Sequence, residues 1–202
     1  MRPLPLRPKP LLAAISLLTV FTLPLLAAAQ AAVRDHASAS LDLGVNYIWL
    51  HANAPAGQCG CFSANGGSGT VALNFGGAAH DLSLLADLSG SHSSNLNGTS
   101  QTITIADYLF GVRYTLHGRH RFAPYGQALI GASHETSNYA YVLSTTSVAF
   151  SGGGGATLRI APHLGWNVFQ ADWIHSDLPN GSNNRQNDVR LGTGIFLTIH
   201  GH

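Results

Sequence analysis

Lysine occurs once in these 202 residues, at Lys9, and charged residues of both signs make up only 9% of the chain. A soluble domain usually carries about a quarter of its residues as charges. There is no basic stripe able to neutralise phosphates, which argues against a nucleic-acid partner. Beyond residue 31 no apolar run approaches the ~20 residues that a membrane helix needs, which argues against a helical membrane protein. Cysteine is limited to Cys59 and Cys61, and neither stands where a lipidated export signal would need it.

What is present begins with an export pattern. Arg2, Arg7 and Lys9 precede an apolar run from Leu11 to Ala29, which ends in the small-x-small tripeptide Ala29-Gln30-Ala31. A cleaved signal peptide is expected over residues 1–31, with a single domain over 32–202. The signal takes 3 of the 10 basic residues, so 7 remain against 9 acidic ones, a formal charge of −2. A chain of this kind that lives in a membrane without helices has one way to satisfy its backbone in lipid, a closed barrel.

The sequence supplies eight segments whose polarity alternates with period two. They run Ser38 to His51, Gly69 to Gly76, Leu82 to Ser91, Thr102 to Leu116, Phe122 to His134, Val148 to Ile160, Gly165 to His175 and Asp188 to Ile199. In the first, Leu41, Leu43, Val45, Tyr47 and Trp49 share one face, and Asp42, Gly44 and Asn46 share the other. The sixth contains Gly152 to Gly155, a run that alone would pass for a linker. Connections are expected to alternate long and short, as in outer-membrane barrels, with long loops at Ala52–Ser68, Ser91–Ser100, Glu135–Ser147 and Ser176–Gln186. Tyr47, Trp49, Tyr108, Tyr114 and Trp173 fall near segment ends, where an interfacial girdle places amphipathic rings. The expected fold is all-β, a closed eight-stranded antiparallel transmembrane barrel. Soluble alternatives, a lipocalin-like barrel, a β-sandwich or an adhesin, require the inverse pattern, apolar inside and polar outside.

Three stretches carry a family likeness: Tyr108 to Arg113 (Tyr-Leu-Phe-Gly-Val-Arg), Gln170 to Trp173 (Gln-Ala-Asp-Trp) and Gln186 to Ile195. In these the chain resembles the small eight-stranded outer-membrane β-barrels related to the OmpA transmembrane domain. The resemblance implies an outer-membrane location, lipids and lipopolysaccharide as surroundings, insertion by the barrel-assembly machinery and no catalytic residues. That family usually ends on an aromatic residue, whereas here Ile199 is followed by His200, Gly201 and His202, a departure that bears on recognition by the assembly machinery.

Several residues could carry chemistry. Asp87, Asp107, Asp172, Arg113, Arg159 and Arg190 occupy lumen-facing positions and are expected to pair as a polar plug, a conducting pore being the competing reading. His175 and Ser176 are the only pair that resembles the outer-membrane lipid A deacylases, with Asp177 able to orient the histidine. In those enzymes the His and Ser are separated by one residue and share a face, whereas adjacent residues point to opposite faces of a strand. Cys59 and Cys61 form a loop staple or a pair of thiols, with His51 the only further metal ligand close in sequence. His36, His80, His117, His120, His163, His200 and His202 are expected to gather at the periplasmic rim as polar anchors. Asn97-Gly98-Thr99 matches a glycosylation acceptor pattern, to which no weight is given in a bacterial barrel. No enzyme, cofactor or metal is expected. The function expected is a structural or surface-contact role, with a lipid A esterase or a small channel as alternatives.

Overall fold

Each alternating segment pairs antiparallel with its neighbour in the chain, and the last pairs with the first, so the sheet has no open edge. The computed structural model describes residues 39–53, 61–75, 82–94, 96, 101–116, 121–138, 143–179 and 184–200. The strands are β1 (Ser40–Asn53), β2 (Cys61–Asn74), β3 (Leu82–Ser94), β4 (Thr102–Thr115), β5 (Phe122–Ser137), β6 (Leu143–Ala161), β7 (Leu164–Ser176) and β8 (Gln186–His200). The end carrying Ser40 and His200 is called the lower end here, and the end of the β1–β2 turn the upper one.

The outward face explains why this sequence closes into a barrel. Val45, Tyr47, Leu88, Tyr108, Phe110, Phe169, Ile195 and Leu197 are all exposed, and they encircle the sheet as a continuous apolar band. A patch of that extent is untenable in water and natural in lipid. The alternation expected for the third, fourth, seventh and eighth segments holds, with Asp87, Asp107, Asp172 and Arg190 buried on the inner face.

The strands are longer than expected, chiefly at the upper end. β2 begins at Cys61 rather than Gly69, so most of the expected loop Ala52–Ser68 is strand; β3 runs on to Ser94, β5 to Ser137, and β6 starts at Leu143. The alternation of long and short connections largely disappears with this correction. Seven residues separate β1 from β2 and seven separate β2 from β3, while only the Pro162–His163 turn between β6 and β7 is tight.

The cause is an inversion of polarity along the barrel axis. At the upper end many of the inward residues are apolar, including Leu50, Phe62, Ala64, Ile103, Ile105 and Ile174. The outward residues there are polar: His51, Ser63, Asn65, His92 and Thr104 are all exposed. A segment such as Cys61–Gly67 therefore reads as a loop if apolar-out is assumed. Water requires apolar-in, and this pattern, anticipated for a soluble barrel, is confined to the part of the wall above the apolar band.

The glycine run Gly152 to Gly155 lies within β6 and is not a linker. Gly153 pairs with Asp172 of β7, and a Cβ there would collide with the Asp172 carboxylate and the Ala171 carbonyl. Gly153→Val is accordingly expected to lower stability by about 1–3 kcal/mol, although valine favours strands. A shift of the urea midpoint after refolding into vesicles measures the effect, and an unchanged midpoint would show that the space is not needed.

Candidate functional site in the lumen and at the upper rim

An eight-stranded barrel is just wide enough for side chains to fill, and Arg190 of β8 occupies its centre. Its side chain is 1% exposed. Nη1 and Nη2 donate to the two carboxylate oxygens of Asp87 at 3.0 Å each, while Nε and Nη2 reach Asp172 Oδ2 at 3.2 and 2.9 Å. Nη1 also donates to Ser89 Oγ at 3.1 Å, so all three guanidinium nitrogens are engaged. Two carboxylates around one guanidinium would leave uncompensated charge if unsupported, and further donors offset it. Gln127 Nε2 and Gln170 Nε2 both donate to Asp172, at 2.8 and 2.5 Å.

From there the network descends. Arg113 donates to Gln127 Oε1 through Nε and Nη2 (3.1 and 2.9 Å), and its guanidinium lies 4.2 Å from the centre of the Tyr125 ring. The Tyr125 hydroxyl donates to Asn167 Oδ1, and Asn167 Nδ2 in turn to Asn46 Oδ1. Asp107 accepts from Ser89 and Ser133. Asn46 Nδ2 donates on to Ser68 Oγ of β2 at 3.2 Å, so every strand except β6 contributes a side chain to this web; β6 contributes the space left by Gly153.

The expected polar plug is thus present in the lower and middle lumen, with two corrections. Of the six charged residues expected to pair, only Asp87, Asp172 and Arg190 form ion pairs; Arg113 and Asp107 bind neutral groups, and the exposed Arg159 reaches the Pro162 carbonyl near the lower end. Above Arg190 the plug is mixed rather than wholly polar: Leu50, Ile103, Ile105, Ile174 and Leu96 are buried there together with Asp188 and with Gln186, which donates to Glu135. Below it, Asp42, Asn46, Arg113, Tyr125 and Arg159 line a cavity of about 380 Å³ at the lower end.

His175 and Ser176 do not converge. His175 faces outward and donates through Nδ1 to Asn187 Oδ1 at 2.9 Å, whereas Ser176 is 1% exposed on the inner side and its Oγ has no partner among the described residues. Asp177 is exposed. At the lower end His163 and His200 stack edge to face at 5.4 Å, and His163 Nδ1 lies 3.1 Å from the Thr198 carbonyl oxygen. His36, His80, His117, His120, His202, Cys59 and the Asn97–Thr99 pattern lie outside the described residues; Cys61 is exposed at the start of β2.

One arrangement was not anticipated. His51, His92, His134 and His175 all point outward near the upper end, one on each upward strand. Each Nδ1 is held by the residue twelve positions later, across the hairpin: Ser63 Oγ at 3.2 Å, Thr104 Oγ1 at 2.9 Å, Thr146 Oγ1 at 2.7 Å and Asn187 Oδ1 at 2.9 Å. Trp49 and Trp173, one outward position lower, stack on His51 and His175 with ring centres 5.6 Å apart in both cases.

Comparison with known proteins places this geometry. The model of the outer membrane protein beta-barrel domain matches residues 17–195. Among curated proteins none matches the sequence. Neisserial surface protein A has a similar solved structure, with a TM-score of 0.56 at 14% identity, over 78% of this chain and 96% of that one. Ail, the attachment invasion locus protein of Yersinia pestis, aligns with a TM-score of 0.54 at 12% identity, over 80% of this chain and 98% of Ail. A second Ail structure, in complex with the heparin analogue sucrose octasulfate, aligns at 0.53 with 12% identity, over 81% and 99% of the two chains. At such identities the likeness is one of fold.

Proposed function

Since the chain belongs to the family of outer membrane protein beta-barrel domains, we propose that it is a closed, non-enzymatic barrel that contributes to envelope integrity or surface contact through its upper rim. In this reading residues 1–31 are a cleaved signal, the barrel-assembly machinery inserts the chain, and the upper end faces outward among lipopolysaccharide.

The observation that carries the reading is the blockage of the lumen by buried side chains, the Arg190–Asp87–Asp172 cluster with Leu50, Ile103, Ile105, Ile174 and the Gln186–Glu135 pair above it. A barrel filled in this way has no aqueous path and presents its rim as its working surface. Ail, whose fold this chain shares, has been crystallised with a sulfated sugar analogue. Here Arg185 is the single exposed arginine at the upper end among the described residues, so contact at this rim relies mainly on hydroxyls, amides and imidazoles.

Two measurements test the proposal. Protein reconstituted in planar bilayers is expected to give no unitary current; a steady open level would make it a channel. Lipid A from cells expressing the chain is expected to keep every acyl chain seen with an empty vector. Loss of an acyl chain that is abolished by Ser176→Ala would make the protein an esterase instead.

A further inference from the structure

We infer that the four outward histidines form a collar for the phosphate groups of lipid headgroups around the upper margin of the barrel, a contact that strengthens as the pH falls. The inference rests on the membrane-barrel reading above.

The first support is recurrence. His51, His92, His134 and His175 are separated by 41, 42 and 41 residues, one per hairpin, although the hairpins share little other sequence. The second is level. Passing from one histidine to the next through the paired positions, the path drops two residues from Ser63 to Asn65, two from Thr104 to Ala106, four from Thr146 to Phe150 and two from Asn187 to Val189, before His51 is met again. The drops total ten residues, all in one direction, as the stagger of a closed barrel with tilted strands requires. Because the drops are spread over all four steps, the histidines lie near one height.

That height is the upper margin of the lipid-facing band. Below the four rings on the same strands lie Trp49, Leu88, Ile130 and Trp173, and above them Asn53, Ser94 and Thr136, with Asp177 just past the end of β7. Rings of tryptophan mark the headgroup region of a bilayer.

The third support is orientation. The hairpin partner holds Nδ1, which directs the ring edge carrying Nε2 away from the wall. For His51, His92 and His175 no partner of Nε2 is found among the described residues; Nε2 of His134 lies 3.3 Å from Thr136 Oγ1 and 3.2 Å from Ser144 Oγ. Asn187 Oδ1 can only accept, so His175 carries a proton on Nδ1 and offers an outward N–H only as the imidazolium. A phosphate oxygen is the acceptor that such an N–H and its charge suit.

The charged and titratable groups around the collar are few. Asp177 is exposed two residues beyond His175, Arg185 two residues before Asn187, and the Cys61 thiol lies near His51; Glu135, Asp188 and Asp107 are buried on the lumen side. Away from the β7–β8 hairpin, the histidines are the only described outward groups at this level able to become cationic.

The test uses the full chain in phosphatidylcholine nanodiscs doped with lipid A, extracted into a maltoside detergent, with bound lipid A counted by native mass spectrometry. Retention is expected to be at least about threefold higher at about pH 5.5 than at about pH 8, the size expected from weak exposed ion contacts acting together. The variant with His51→Gln, His92→Gln, His134→Gln and His175→Gln is expected to lose that difference, as is the native chain given dephosphorylated lipid A. Equal retention by the native chain and a folded variant, or undiminished retention of dephosphorylated lipid A, overturns the collar. If the variant does not fold, imidazole nitrogen resonances of the native chain are to be followed; four Nε2 signals unmoved by lipid A overturn it equally. The barrel reading is checked separately beforehand, by heat-modifiable gel mobility, and its failure appears there as a chain that stays soluble without detergent.

Discussion

Replacing Arg190 with methionine is expected to lower the stability of the barrel by about 3–5 kcal/mol, the cost of leaving a buried charge uncompensated. Asp87 and Asp172 are 0% and 2% exposed, and the two share this one guanidinium as their only cationic partner in contact. Without it, two buried carboxylates face each other in a narrow lumen. Gln127 and Gln170 still donate to Asp172, but Asp87 would keep no hydrogen bond among those described here. Urea unfolding in vesicles, followed by tryptophan fluorescence, measures the loss. The triple variant Arg190→Met, Asp87→Asn, Asp172→Asn is expected to recover most of it, because no net charge then remains at the centre. A loss below about 1 kcal/mol in the single variant would show that water reaches the cluster and that the lumen is not sealed as proposed.

The second large effect lies on the outer wall. Ile195 is half exposed in the middle of the apolar stretch of β8, and Ile195→Arg is expected to cost about 2–4 kcal/mol, the range for arginine near a bilayer midplane. Thr104 is also outward but stands at the height of the histidines, and Thr104→Arg is expected to change stability by less than about 1 kcal/mol. The contrast matters more than either value. Equal costs would mean that the apolar band extends to the top of the strands, and unchanged stability in both would mean that the wall does not face lipid.

The same change of surroundings accounts for what could be read in the sequence. β4 was legible almost to the residue, because Tyr108, Phe110, Val112 and Tyr114 alternate with Asp107, Gly111 and Arg113 under one rule throughout the lipid zone. β2 was half missed. Its first half buries Phe62 and Ala64 while showing Ser63 and Asn65 outside, so the apolar side changes face midway along a single strand. Period two survives that exchange, but its phase with respect to lipid does not, and the glycines at the crossing hide the join.

For the lumen, charge signs and facing were enough to forecast a plug but not its partners. That Arg190 meets Asp87, more than a hundred residues away, follows from the register of the whole barrel and not from local spacing. The histidine collar could have been found without coordinates. Its signal is a recurrence at 41 or 42 residues with a hydroxyl or amide twelve positions on, visible only when the outer ends are taken as strands.

The upper wall has a mechanical consequence. One to three residues of β1, β3, β5 and β7 continue beyond the histidines with their ladder intact, a rise of up to about 10 Å at the usual advance per residue. The upper strand ends therefore form a stiff pedestal clear of the lipid surface. A partner approaching from outside would meet them at that elevation, and a segment grafted between β1 and β2 would be displayed there without first being drawn down onto the bilayer.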